Sequence, residues 1–253
     1  MESMEGNEQM IPNCELVKVD GTQFLILKGQ DLISNHLKKE LYENDIHQLC
    51  IKLLINEDPG EVLDIGANLG TFCVPLAKKI AKHTYHAFEP QRIIYYQLCA
   101  NTFINGLGNV QCHHFGLSNR RDAIFLDMPD YATETNIGAF SVDKEVRSND
   151  YECKTTGAKE AVTLFPLDEG AYRNIRLIKI DVEGHELEVL KGAKKTLKDN
   201  NYPPIIFEAW TWKPWYQEKR KELFDYLKSL GYEIHQLGQN NLAQHPKHGE
   251  MLK

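Results

Sequence analysis

The chain has 253 residues, 42% hydrophobic and 26% charged, which suits one folded α/β domain with a short extension and excludes wholesale disorder. No apolar run approaches the roughly 18–20 residues of a membrane span. The polar start MESMEGNEQM lacks the basic and apolar regions of a secretory signal, so a cytoplasmic protein is expected. The net charge of -7, from 29 basic and 36 acidic residues, counts against nucleic acid as a partner, because a phosphate backbone asks for a basic face.

Residues 1–13 read as a flexible lead-in, and 14–60 as a hairpin and helix packed on a core domain that runs over 61–253. Segments Leu16–Val19 and Gln23–Leu27 are short strands around an Asp20-Gly21 turn. Ile46, Leu49, Cys50, Leu53 and Leu54 form one apolar helical stripe, ended by Asp58-Pro59-Gly60. Strands and helices then alternate. Val62–Ile65, Tyr85–Phe88 and Val110–His114 read as strands, with helices over Thr71–Ala81 and Arg92–Asn105 between them. Residues 119–170 break the rhythm and are expected to form an inserted hairpin or lid, with strand-like runs at Ala123–Leu126, Ala139–Val142 and Ala161–Leu164. Leu177–Ile180 is a buried strand, followed by one helix through Leu187, Leu190, Ala193 and Leu197. Pro204–Phe207 is a strand, Lys219–Leu230 a helix capped by Gly231, and Tyr232–Leu237 the last strand. This order predicts an α/β fold with a doubly wound, mostly parallel sheet covered on both faces. The six cysteines include no CxxC pair, so they read as reduced thiols rather than a zinc site.

The strongest local signal is VLDIGANLGT, residues 62–71. A buried strand runs into Gly66 and Gly70, where the chain turns tightly and a ligand can approach the backbone. A dinucleotide fold would show G-x-G-x-x-G under a pyrophosphate. Here Asp64 precedes the first glycine. A carboxylate repels a diphosphate but attracts a sulfonium and an ammonium, by several kcal/mol at about 4 Å and an effective dielectric near 20. Asp64 therefore selects S-adenosylmethionine over NAD; otherwise it is a strand-end acid capping the turn. Glu89, in Phe88-Glu89-Pro90 at the second strand end, is placed for ribose hydroxyls. Gly116-Leu117-Ser118 after the third strand is placed for the adenine, or is a plain turn. Asn68, Thr71 and Pro90 complete the expected cofactor-binding set.

A second cluster, Asp181, Glu183, His185 and Glu186, follows a central strand, and Glu208 ends its neighbour. Crowded carboxylates raise one another's pKa, and a group tuned toward neutrality can take a proton from a hydroxyl. Asp181, Glu183, His185 and Glu208 are the expected catalytic residues. Glu186 reads as a first-turn helix acid, and His185 could equally lie on the surface. Asp181, Glu183 and Glu208 also offer oxygen ligands for Mg²⁺. Trp210 and Trp212 supply aromatic surface for a sugar or apolar acceptor.

VLDIGANLGTF, FEP, LIKIDVEGHELEVLKGA and IIFEAW together resemble the FkbM family of methyltransferases, over residues 40–235. Tyr42-Glu43 looks like that family's entry segment. The resemblance implies a class I methyltransferase fold and methyl transfer to oxygen on sugars or other small metabolites. It makes Asp64, Gly66, Asn68, Gly70 and Glu89 cofactor contacts and sets Asp181 and Glu183 beside the transferred methyl. An RNA 2′-O-methyltransferase, a protein methyltransferase and a non-catalytic nucleotide-binding module remain competing readings.

Overall fold

The computed structural model describes residues 13–29, 31–133, 136–138, 140–150 and 154–248. Most of the expected lead-in, Ala139 and Cys153 lie outside these residues. The chain begins with a hairpin of β1 (Cys14–Val19) and β2 (Thr22–Leu27), turned at Asp20 and Gly21 with φ of 44° and 76°. Two helices follow, α1 (Leu32–Leu37), which the apolar pattern did not reveal, and α2 (Asn44–Leu54). The alternating region is β3 (Glu61–Ile65), α3 (Cys73–Lys79), β4 (Thr84–Phe88), α4 (Arg92–Ile104) and β5 (Val110–His113).

The break in rhythm corresponds to a separate three-stranded sheet. Short β6 (Gly116–Leu117) and long β7 (Asp122–Pro129) flank β8 (Thr155–Phe165), with α5 (Lys144–Asp150) in the connection between β7 and β8. The β7–β8 pair is the expected hairpin. Residues 140–142 are loop rather than strand: β7 pairs with β8 instead, and Phe140 and Val142 line a cavity.

The second half continues with β9 (Ile175–Ile180), α6 (Glu186–Lys191), α7 (Lys194–Asp199), β10 (Ile205–Glu208), α8 (Gln217–Ser229), β11 (Glu233–Leu237) and β12 (Asn240–Gln244). One expected helix is therefore two. The Gly192 carbonyl accepts from Asp168 N, while the Asp168 carboxylate accepts from the amides of Lys195 and Thr196. A side chain from a distant loop thus caps α7 and stops α6 one turn earlier. Gly231, at φ 94°, closes α8: its amide donates to Lys228 O and that of Tyr232 to Leu227 O.

The main sheet has the order β11-β12-β10-β9-β3-β4-β5. All neighbours are parallel except β12, which runs antiparallel between β10 and β11. Tyr232–Leu237 is thus the edge, and the strand beside β10 is the later one. The chain winds outward from β3 through β4 to β5, then returns to β9 and β10 on the other side. Ligands in such doubly wound sheets bind where the winding reverses, outside the carboxyl ends of β3 and β9. One core cluster joins the hairpin, α2 and α3 to one face of the sheet; another joins α6, α7 and α8 to the other. The open edge of β2 is matched by one polar stripe of α4. Asn101 and Asn105 accept from the amides of Leu25 and Gln23, and Gln97 donates to Leu25 O. Among the described residues, no helix is long and apolar enough to cross a membrane.

Candidate active site

Register decides which side chains meet at the switch point. Residues directly opposite on paired strands share a face, and alternate residues along a strand share it too. Asp64 of β3 lies opposite Lys179 of β9, and Lys179 opposite Ile206 of β10. Two residues on, Asp181 and Glu208 emerge together from the strand ends. They border a cavity of about 310 Å³ at the carboxyl edge of the sheet.

The glycine loop forms one wall. Gly66 has φ 84°, and a Cβ there would lie 1.8 Å from Asp181 O, so only glycine lets β3 and β9 close up as they leave the sheet. Asn68 is also left-handed, at φ 50°, held by its own Oδ1 accepting from Leu69 N. Asp64 is 1% exposed, and its nearest polar company is the thiol and amide of Cys73 at the start of α3. Burial pushes its pKa up to about 6, with Lys179 and the Cys73 end of α3 pulling the other way. A buried acid that lines a cavity with so little to compensate it is costly unless a cation completes it.

Glu89 is 5% exposed and serves as a strut: its oxygens accept from the amides of Asn68 and Gln91. Burial raises its pKa to about 7 against those two bonds. Each oxygen keeps a second lone pair, so the expected role toward hydroxyls is compatible with the strut. Thr71, Pro90, Gly116 and Leu117 line the same cavity. Gly70 does not; at φ 92° it shapes the entry into α3, where Val74 N donates to its carbonyl.

Asp181, Glu183 and Glu208 form the facing wall and present one oxygen each within 4.8 Å of one another. Glu183 adopts φ 53°, strain of a kind concentrated at functional loops. Burial first, then Asp181 and Glu208, hold Glu183 well above the usual carboxylate range. Burial and Asp181 likewise push Glu208 up to about 8. The loop is braced from below by Glu186. This buried acid accepts from the amides of Val182 and Gly184 and from Tyr216 Oη, so it does more than favour a helix dipole.

Three expectations change. His185 turns away from the cavity: its Nε2 lies 3.0 Å from Ser118 Oγ, and its Nδ1 3.7 Å from Asp143. Ser118 is thereby engaged behind the wall, and neither residue lines the cavity. Trp210 is buried against Trp215 and Tyr216, with Nε1 donating to Glu208, and Trp212 lies on the exposed surface away from the site. The aromatic groups that do line the cavity are His36, Tyr42, Phe72, Phe88 and Phe140.

Two charged residues carry more of the site than their sequence context suggested. Lys179 Nζ sits 2.8 Å from Asp181 Oδ2 and 3.4 Å from Glu43 Oε2, above the Phe72 ring. Burial alone would lower its pKa; Asp181, Glu43 and Asp64 outweigh that and keep the ammonium charged. Glu43, at φ 51°, is fixed from the other side by Asn240 Nδ2 at 2.8 Å. Burial opposes its ionisation, but Lys179 and Asn240 prevail and lower its pKa. The segment before α2 is thus tied to both β9 and β12.

The family model described as the methyltransferase FkbM domain matches residues 64–234. The hexuronic acid methyltransferase AglP of Haloferax volcanii is 30% identical over 164 residues, covering 64% of this chain and 62% of that protein. Methyltransferase 1 of Beauveria bassiana is 27% identical over 155 residues, covering 56% of this chain and 62% of that one. The matches to these curated relatives thus span less than two thirds of their length. A crystal structure of methyltransferase FkbM from Methylobacillus flagellatus aligns with 74% of this chain and 43% of that chain, at 19% identity and a TM-score of 0.48.

Proposed function

The chain belongs to the FkbM methyltransferase family, and from that premise we propose that it moves the methyl group of S-adenosylmethionine onto a hydroxyl oxygen of a sugar or related small metabolite. The observation that carries this reading is the Asp64 carboxylate, buried beside Cys73 on the wall of a cavity that faces three further acids. Its charge suits the ammonium and sulfonium end of the cofactor. Glu89 suits the ribose hydroxyls, and Gly116 and Leu117 the adenine. The name of the Haloferax relative supports a carbohydrate acceptor. The acidic lining disfavours an RNA backbone.

The cofactor, when bound, supplies a methyl group already activated by sulfonium. What remains for the chain is to position a hydroxyl and remove its proton, and positioning alone can be worth about 7–11 kcal/mol. Lys179 engages Asp181 Oδ2, which leaves Oδ1 to accept the hydroxyl proton. Glu183 and Glu208 orient the same oxygen. His185 and Ser118 act only by holding the loop from behind.

Asp64→Asn tests the reading with almost no change of shape. Calorimetry should show S-adenosylmethionine binding to the natural chain and at least about ten-fold weaker binding to the variant. A natural chain that ignores this ligand yet binds NAD or ATP tightly would end the reading.

Asp181, Glu183 and Glu208 fit a hard divalent cation, since oxygens this close can converge on metal–oxygen distances of about 2.1–2.5 Å with small side-chain movements. Mg²⁺ held there would polarise the acceptor oxygen. The pH dependence has a definite sign. Glu208 is raised from 4.5 to about 8 in the fold, so the fold's stability relative to the unfolded chain is fully present below about 4.5 and declines as pH rises toward 8. A cation that binds the ionised cluster must displace protons below pH 8. Added Mg²⁺ should therefore raise the melting temperature more at pH 8 than at pH 6, and EDTA should reverse the gain. An unchanged melting temperature at both values removes the metal from the mechanism.

A further inference from the structure

Part of the cavity wall comes from outside the stretch that the family model matches. Leu32, Ile33 and His36 of α1, with Tyr42 and Glu43 before α2, all precede residue 64 and all line the cavity. The sheet order separates this region from the cofactor wall. Glu89 and Gly116 follow β4 and β5 on one side of β3, whereas Glu43 is bonded to Asn240 of β12, on the far side of β9 and β10. Gln239, in the turn between β11 and β12, lines the cavity at that same far side.

The wall has a distinct character. The His36 and Tyr42 rings meet edge to face at 5.4 Å, and Leu32 remains 60% exposed beside them. An aromatic pair flanked by open aliphatic surface suits the apolar face of a pyranose ring, whose hydroxyls then point at acceptors. Those acceptors are numerous. Glu43, Asp64, Glu89, Asp181, Glu183 and Glu208 all line the cavity. The basic groups there are Lys179, already committed to Asp181 and Glu43, and His36, which faces Glu40 at 3.8 Å. Among the described residues of this lining, no lysine or arginine is free of an acidic partner.

We propose that the wall built by α1 and the segment before α2 is the acceptor subsite, and that it selects a neutral hexose ring over a hexuronate. This rests on the sugar-methyltransferase reading and sharpens it. Discrimination arises chiefly by repulsion, since the carboxylate of a uronate would be drawn from water into a cavity lined by acids and by no free lysine or arginine. The inference separates this chain from the Haloferax relative, which is named for hexuronic acid.

The test is a radiolabelled methyl assay with the full chain, S-adenosylmethionine, and two matched acceptors, a methyl hexopyranoside and the corresponding methyl hexuronoside. The neutral glycoside should show a kcat/KM at least about ten-fold higher. Gln239→Lys, on an exposed turn that lines the same side of the cavity, should raise kcat/KM for the hexuronoside about ten-fold relative to that for the neutral glycoside. Tyr42→Ala should raise KM for the neutral glycoside about ten-fold with little change in kcat, and Tyr42→Phe should restore it. Equal or preferred use of the hexuronoside by the natural chain overturns the inference while leaving sugar methylation standing, and so does an unmoved KM in a folded Tyr42→Ala chain. Transfer to neither acceptor by cofactor-bound protein overturns the sugar reading itself and the inference with it.

Discussion

Asp181→Asn should lower the turnover of methyl transfer by about three orders of magnitude while the fold and cofactor affinity hold. The amide is nearly isosteric, so Gly66 keeps its close packing against residue 181, where the contact is with the backbone carbonyl. Lys179 loses one counter-charge but keeps Glu43, which Asn240 anchors. The buried ammonium therefore remains paired, and the large penalty of an isolated buried charge is avoided. What disappears is the carboxylate oxygen assigned to the acceptor proton, and removal of a positioned base costs about 10²–10⁴ in rate. Single-turnover kinetics with labelled cofactor measure the loss directly, and calorimetry checks binding. Turnover within ten-fold of the natural chain would move the base to Glu183 or Glu208.

How far such residues were legible in the sequence depends on whether their signal is local. Asp64, Gly66 and Asn68 are legible because strand end, turn and helix start follow one another without interruption, so their spacing already implies their geometry. Asp181 and Glu208 are legible for a related reason: acids at the ends of adjacent parallel strands must emerge side by side. Glu43 is different. Its neighbours Lys179 and Asn240 come from strands far along the chain, and nothing around residue 43 announces them. The same holds for Asp168, whose tertiary cap splits what periodicity reads as one helix.

Trp210 and His185 show the opposite failure. Both sit in the right loops, but which way a side chain turns after a strand depends on what fills the space behind it. There Trp215 and Tyr216 take the indole, and Ser118 takes the imidazole. Strand β12 escaped notice because Asn240 and Asn241 look like turn residues. Burial between β10 and β11 gives these asparagines partners in Glu43 and the Phe207 carbonyl that the local pattern does not contain.

Gly66→Ala should destabilise the protein by about 3–4 kcal/mol and abolish cofactor binding, although it adds one methyl group. Two effects combine. A left-handed backbone costs an L-residue about 1–2 kcal/mol, and Gly66 sits at φ 84°. The new Cβ would also stand 1.8 Å from Asp181 O, a backbone atom that cannot rotate aside. Either β3 and β9 separate at the switch point or the loop carrying Asp181 is displaced, and overpacking of this kind costs about 1–3 kcal/mol. At about 2–4 °C per kcal/mol for a chain of this size, the melting temperature should fall by about 10 °C. Gly21→Ala is the matched control. Gly21 is equally left-handed at φ 76°, yet a Cβ there meets nothing within 4 Å, so it reports strain alone. The difference between the two variants in scanning calorimetry isolates the contact between β3 and β9. If both lose the same small amount, the strand ends yield to the added methyl group, and the wall that sets Asp64 against Asp181 is not fixed by that contact.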